Sequence, residues 1–392
     1  MTVAKKIQGY LERASWIRKM FEEGAKLKAE HGAENVFDFS LGNPNLEPPD
    51  RFKEALVEMA RAAGSGRHAY MPNTGYPSVR RAVAEFLSGE QGVSVTADNV
   101  IMTCGAAGAL NVVLKAILDH GDEVITPAPY FVEYGFYVDN HGGILKAVPT
   151  KSDFTIDPGA IRGAITPKTR AVLINSPNNP SGQIYGKETL VALGVLLTEE
   201  GRRLNRTLYL ISDEPYRKIV FDGLDVPSIF SCYRESMIVT SYSKDLSIPG
   251  ERIGFLAVHP EATYAEQLLA GMALANRILG FVNAPALMQR VIESVQGVSV
   301  DPAIYQKKRD LLCDGLSKAG YDFVKPKGAF YLFPKAPTQD DVAFVKALQE
   351  ELILAVPGSG FGTPGYFRIA FCVDDTTIEL ALPGFERVIK RF

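Results

Sequence analysis

The residues best suited to chemistry lie in one run, Ser241-Tyr242-Ser243-Lys244-Asp245-Leu246-Ser247-Ile248-Pro249-Gly250-Glu251-Arg252-Ile253-Gly254. A lysine amine can form a Schiff base with a carbonyl once desolvation or a cationic neighbour lowers its pKa. The hydroxyls of Ser241 and Ser243, with the guanidinium of Arg252, can hold an anion such as a phosphate. A covalently held aldehyde that carries its own phosphate needs both. A surface loop whose charges face water accounts for the local sequence equally well, so the surrounding elements must decide.

Met237-Ile238-Val239-Thr240 is an apolar run of strand size, which puts Lys244 just past a strand end. Ile253 to Val258 follows as another strand. The same pattern precedes it. Val100 to Thr103 reads as a strand that stops at Cys104, and the small residues from Gly105 to Leu110 open a helix reaching about His120. Free N–H groups and the dipole at such a helix start favour an anion. Glu123 to Thr126 leads to Pro129-Tyr130-Phe131, then a helix to Asn140 and a strand from Ile144 to Val148. Arg170 to Ile174 ends in the turn-rich Asn175-Ser176-Pro177-Asn178-Asn179-Pro180-Ser181-Gly182. A helix from Lys187 to Arg202 follows, then Leu208 to Ile211, which ends at Ser212-Asp213-Glu214-Pro215-Tyr216. This alternation predicts an α/β fold whose large domain has a mostly parallel central sheet flanked by helices. Ligands bind beyond the carboxyl ends of such strands, where Gly105, Phe131, Asn179, Asp213, Tyr216 and Lys244 all fall.

The ends of the chain differ in kind. Residues 6 to 30 carry helical apolar spacing, Val36 to Phe39 reads as a strand, and Gly42-Asn43 lies in a turn that would expose backbone N–H groups. Tyr70 to Pro77 is a loop of breakers and aromatics. Beyond the helical stretch from Glu261 to Ser294, broken near Gly280 and Pro285, strands are expected at 321–323, 329–333, 353–356 and 366–371, with helices at 302–318, 341–350 and 376–390. The division expected is an N-terminal segment, 1–45, packing on a smaller α+β domain, 291–392, beside a large domain, 46–290.

With 392 residues, 46% hydrophobic and 22% charged, the chain has ordinary globular composition. A net charge of -3 without a long basic run argues against nucleic-acid binding. The apolar runs are too short to span a membrane, and the polar start lacks the apolar core of a secretion signal. Four scattered cysteines and five histidines form no metal motif, and a reducing cytoplasm suits them.

Further stretches repeat one family's marks in order. They are Tyr70-x-Pro72-x-x-Gly75, Gly105 to Leu110, Asn175-x-Pro177-x-Asn179-Pro180-x-Gly182, Asp213-x-x-Tyr216, Ser241-x-Ser243-Lys244 with Gly250-x-Arg252-x-Gly254, and Pro357-Gly358-x-x-Phe361-Gly362 leading to Arg368. Over nearly its whole length the chain resembles the aspartate aminotransferase family, the class I/II pyridoxal phosphate enzymes of fold type I. The resemblance implies that Lys244 carries pyridoxal 5'-phosphate as a Schiff base and then moves the substrate Cα proton. Asp213 would face the pyridine nitrogen, Asn179 and Tyr216 the phenolic oxygen, and Phe131 the ring face, with Tyr130 the competing choice and Tyr134 the next aromatic along. The Gly105-Ala106-Ala107 loop, Ser241, Ser243 and Arg252 would hold the phosphate, and Tyr70 would reach the phosphate of a neighbouring subunit in a homodimer. Arg368, helped by Gly42 and Asn179, would hold the substrate α-carboxylate. A carboxylate bridging Gly42 and Arg368 of the small domain to the large one would favour closure.

The activity so implied is transfer of an amino group from an L-amino acid, aspartate or a broad range, to a 2-oxo acid such as 2-oxoglutarate. The alternatives are a Cβ–S lyase of the cystathionine type, ring closure to an aminocyclopropane carboxylate, and a non-catalytic ligand-sensing relative. Retention of Lys244 and Asp213 counts against the last. One departure bears on the donor. Some bacterial aspartate aminotransferases read the second carboxylate with a lysine where this chain has Ala107. Arg18, Lys19 or Arg277 of the partner subunit would have to replace it, or the donor is neutral.

Overall fold

The computed structural model describes residues 3–12, 16–62, 64 and 66–392, with the side chains of 12–22 outside the described set. Arg18 and Lys19, named above as readers of a second carboxylate, therefore lie outside the described side chains. The helical spacing of residues 6 to 30 is realised as two helices, α1 (Lys5–Glu12) and α2 (Trp16–His31), followed by the short strand β1 (Phe37–Asp38). Helices α3 (Asp50–Arg61) and α4 (Pro77–Gln91) lead into the sheet, α4 starting on a proline that needs no N–H partner. Then come β2 (Val100–Thr103), α5 (Gly105–Ile117), β3 (Glu123–Ala128), α6 (Glu133–Asn140) and β4 (Ile144–Pro149). Helix α7 (Pro158–Ala164) was not expected from the apolar pattern. It is too short to show a period, and its signature is the Asp157 cap, whose carboxylate accepts from Gly159 N at 2.8 Å. The alternation closes with β5 (Thr169–Asn175), α8 (Lys187–Leu204), β6 (Tyr209–Asp213), β7 (Ser236–Ser241) and β8 (Gly254–Val258).

These strands form one seven-stranded sheet in the order β2-β8-β7-β6-β5-β3-β4. All neighbours are parallel except β8, which runs antiparallel to both β7 and β2. Two reversals restore the direction, so β2, β3, β5, β6 and β7 present their carboxyl ends along one edge. Both faces are buried, because alternate residues of each strand feed opposite cores. Val172, Leu210 and Ile238 enter one core, and Leu173, Ile211 and Val239 the other.

Helices α9 (Ala265–Ile278) and α10 (Ala286–Glu293) complete the packing around the sheet, whose core runs on to Val295. A second core takes in Phe154, Tyr216, Ile219 and Phe221 and, from Val300 on, gathers α11 (Pro302–Ala319), β9 (Tyr331–Leu332), α12 (Asp341–Glu350), β10 (Ile353–Leu354), β11 (Val356–Pro357), β12 (Phe367–Ala370) and α13 (Asp375–Ile389). Phe39 from the N-terminal segment is buried in it.

Two expectations fail here for local reasons. Residues 321–323 are not a strand. Gly320 ends α11 with φ +95°, Tyr321 turns inward to donate to Phe385 O at 3.0 Å, and only Asp322 O receives a cross-chain bond, from Lys335 N at 2.9 Å. The run 353–356 is two strands, because β10 pairs with β1 in one sheet while β11 pairs with β12 in another. Among the described residues no helix is long and apolar enough to cross a membrane.

Candidate active site

A cavity of about 280 Å³ opens beyond the carboxyl ends of β5, β6 and β7. From the sheet side it is lined by Ala106, Ala107, Phe131, Asn179, Asp213 and Tyr216, and by Ser241, Ser243, Lys244 and Arg252. Gly42, Tyr331 and Arg368 close it from the other side. The sequence-predicted residues thus converge, with two exceptions. Gly105 lies just behind the wall, and Tyr70 is 89% exposed, away from the cavity of its own chain. Phe131 rather than Tyr130 faces the cavity; Tyr130 packs on Gly362, with its backbone N–H on Phe361 O at 3.1 Å.

One end of the cavity is built for an anion. Helix α5 begins at Gly105, whose φ of +71° is open to glycine and whose Cβ, if present, would lie 2.9 Å from Arg252 Nη2. Gly254 is equally confined, since a Cβ there would stand 2.3 Å from Thr240 O and 3.0 Å from Gly105 Cα. The two glycines let the helix start close on the guanidinium. Arg252 itself has φ +49° and is steadied by a bond from Nη1 to Pro249 O at 2.9 Å. The first N–H groups of α5 have no partner within the helix, and Ala106 and Ala107 stand at the cavity wall.

The other end holds a buried carboxylate. Asp213 Oδ2 accepts from the Tyr134 hydroxyl at 2.6 Å, while Oδ1 is buried without a partner. Burial pushes this carboxyl up to about 7, against the pull of the Tyr134 bond. A buried acceptor left open asks for a donor from a ligand. The role of Tyr134 escaped sequence reasoning, although its spacing from Phe131 carried the signal: three residues at a helix start put both aromatics toward the cavity end, 5.6 Å apart and edge to face.

Lys244 lies between the two ends. Its amine donates to Gly42 O at 2.8 Å and sits 5.5 Å from the Phe330 ring centre. Gly42 therefore meets the lysine through its carbonyl. Burial lowers the Lys244 pKa to about 8, with Cys372 opposing and the positive charges of Arg368 and Arg252 adding to the effect. An amine so placed is neutral in an appreciable fraction near neutral pH.

Arg368 is 2% exposed and, among the described residues, reaches no carboxylate. Nη1 donates to Asn179 Oδ1 at 3.1 Å, Nη2 donates to Ser40 O, and Nε is buried without a partner. The guanidinium lies 4.7 Å from the Tyr331 ring centre and 4.8 Å from that of Phe361. Burial lowers its pKa, as a buried cation without a counter-ion requires. A buried guanidinium with an open N–H can take an anionic group. Tyr331 was also missed, hidden within the aromatic run 329–333. Its hydroxyl pairs with that of Tyr216 at 2.8 Å and fills the space beside Gly42, where a Cβ would come within 1.8 Å of it.

The arrangement fits pyridoxal phosphate: an anion cradle at one end, an open buried carboxylate at the other and a lysine of lowered pKa between. When bound, that cofactor supplies an electron-withdrawing ring that takes up charge as a substrate Cα proton leaves.

Comparison with known proteins agrees. Residues 34–384 match the family described as aminotransferase class I and II. The chain is 34% identical over 360 residues to an aspartate/prephenate aminotransferase of Thermus thermophilus, covering 90% of both chains. It is 32% identical over 390 residues to an aromatic-amino-acid aminotransferase of Thermococcus litoralis, covering 96% of both. The crystal structure of an amino transferase from Eubacterium rectale superposes with a TM-score of 0.97 at 42% identity, over 100% of this chain and 99% of that one. With the cradle, the lysine and the open carboxylate in place, the chain belongs to the class I and II aminotransferases and is a pyridoxal phosphate-dependent transaminase.

Proposed function

We propose that this transaminase accepts a broad range of L-amino acids, uncharged and aromatic ones included, and passes their amino group to a 2-oxo acid such as 2-oxoglutarate. In this reading Lys244 holds the cofactor and moves the Cα proton, and Asp213 receives the ring nitrogen through its open Oδ1. Asn179 and Tyr216 bond the phenolic oxygen, Phe131 covers the ring, and Ala106, Ala107, Ser241, Ser243 and Arg252 take the phosphate. Arg368 takes the substrate α-carboxylate. The hydrogen bonds from Lys244 to Gly42 and from Arg368 to Asn179 already cross the cavity, which supports a closed form gripped by substrate.

The observation that carries the donor range is the charge inventory of the wall. Among the described residues its cations are Lys244, Arg252 and Arg368, each with a task, and the remainder includes Ala107, Leu110, Phe131, Tyr137 and Tyr331. Nothing described in this chain is left to read a second carboxylate. Aspartate, or the second carboxylate of 2-oxoglutarate, needs a cation from α2 or from a partner subunit. Arg277 is exposed on α9 beside the exposed apolar Leu274 and Ile278, which together with exposed Tyr70 suits a homodimer that shares its sites. The four cysteines are free thiols, in keeping with a reducing cytoplasm.

The test is to add single amino acids to the cofactor-loaded protein without an oxo acid and to follow the visible band of the cofactor. Loss of the band with alanine, leucine and phenylalanine is expected. Conversion by aspartate and glutamate alone would overturn the reading.

A further inference from the structure

Arg368 owes its position to a carbonyl, and that carbonyl is held by a device with no part in the assignments above. Ser40 O accepts from Arg368 Nη2. Ser40 is fixed by Asp38, whose Oδ1 accepts both from Ser40 N at 3.1 Å and from Ser40 Oγ at 2.6 Å. The other oxygen, Oδ2, pairs with Lys28 on α2 at 2.7 Å. Gly24, one turn before Lys28, lets the helix sit this close, since a Cβ there would lie 2.6 Å from Leu354 Cδ1. The backbone binds the turn from the other side. Asp38 pairs with Leu354 across β1 and β10, and Ala370 N donates to Phe39 O at 2.9 Å, two residues beyond Arg368.

From this geometry we infer that Asp38, neutralised by Lys28, is a positioning residue for recognition of the substrate carboxylate: it sets the Ser40 carbonyl that orients Arg368. Asp38 turns its charge to Lys28 and its remaining lone pairs to Ser40. Arg368 thus keeps its own charge for the substrate while gaining a fixed acceptor for one arm of its fork. Helix α2 is thereby tied mechanically to the carboxylate site through a chain of three contacts. The inference rests on the reading of Arg368 given above.

The experiment uses the cofactor-loaded enzyme, with propionate as a carboxylate probe competing against L-phenylalanine. Asp38→Ala is expected to raise the propionate inhibition constant and the KM for phenylalanine about tenfold, the scale of one weakened hydrogen bond to a charged group. The kcat is expected to stay within about twofold, and the pH titration of the cofactor's visible band to stay put. Asp38→Asn, which keeps an acceptor for Ser40, should recover most of the affinity. Lys28→Met should raise both constants about threefold, and it decides the matter where Asp38→Ala fails to fold. Unchanged propionate binding in these variants, or a shift of the cofactor titration equal to the loss of propionate affinity, would overturn the inference. Arg368→Lys run in parallel separates the two readings. If it leaves propionate binding intact, the role of Arg368 is wrong; if it alone weakens propionate, only the role of Asp38 is.

Discussion

Replacing Arg368 with lysine probes the substrate end of the cavity. The guanidinium now serves Asn179 Oδ1 and Ser40 O at once and still has a buried, unpaired Nε. A single ammonium cannot reproduce that fork. A carboxylate held by two charge-assisted bonds would keep one, a loss of about 1.5–3 kcal/mol. The expected loss in kcat/KM is therefore about 1.5–3 kcal/mol, which at 1.4 kcal/mol per tenfold is on the order of 10- to 150-fold. The assay is single-turnover conversion of the bound cofactor by several amino acids, read as kcat/KM. Every donor should lose by a similar factor, because all share the α-carboxylate. Cofactor affinity should hold within about twofold, since Arg252 and the α5 start lie at the opposite end. A loss below about fivefold, or an equal loss of cofactor affinity, would show that Arg368 does not act as argued.

Three further outcomes follow from the geometry. The Lys244 pKa is depressed to about 8 from 10.5, so its amine is neutral above pH 8; condensation of the cofactor-free protein with pyridoxal should rise through that pH and level off, whereas a rise continuing toward 10.5 would contradict the burial argument. The Asp213 pKa is raised from 3.8 to about 7, so its contribution to stability is present below pH 4 and is lost as pH climbs through 7. Urea unfolding of cofactor-free Asp213→Asn should therefore show a gain over the parent of about 2–4 kcal/mol at pH 8 relative to pH 4, the upper end being three pKa units at 1.36 kcal/mol each, and an equal difference at both pH values would count against it. Gly105→Ala, with φ +71° and a Cβ 2.9 Å from Arg252 Nη2, should weaken cofactor binding about tenfold, while Gly121→Ala, with φ +85° and no atom within 4 Å, should cost about 1–2 kcal/mol of stability and leave binding unchanged.

Much of the site was legible because strand ends announce themselves. An apolar run followed by polar, turn-forming residues located Asp213, Asn179 and Lys244 without knowledge of the sheet order, and the parallel pairing then brought them to one edge. The antiparallel β8 could not be read, because buried strands of either direction are equally apolar. What stayed hidden is what only packing decides. Tyr134 and Tyr331 look like core aromatics in the sequence, and their hydroxyls acquire meaning through partners 79 and 115 residues away. The mislaid strand at 321–323 and the split at 353–356 arise where short β segments answer to tertiary contacts rather than to their own pattern. Tyr70 matches its family motif yet faces solvent and lines no part of the cavity of its own chain.

Borohydride reduction of the cofactor-loaded protein, followed by peptide mapping, asks directly where the cofactor is attached. The geometry requires the label on Lys244 alone, with Lys244→Ala unlabelled and unable to transfer an amino group. A label on any other lysine, or turnover near the parental rate in Lys244→Ala, would mean that the lysine between the cradle and the open carboxylate is not the one that does the chemistry.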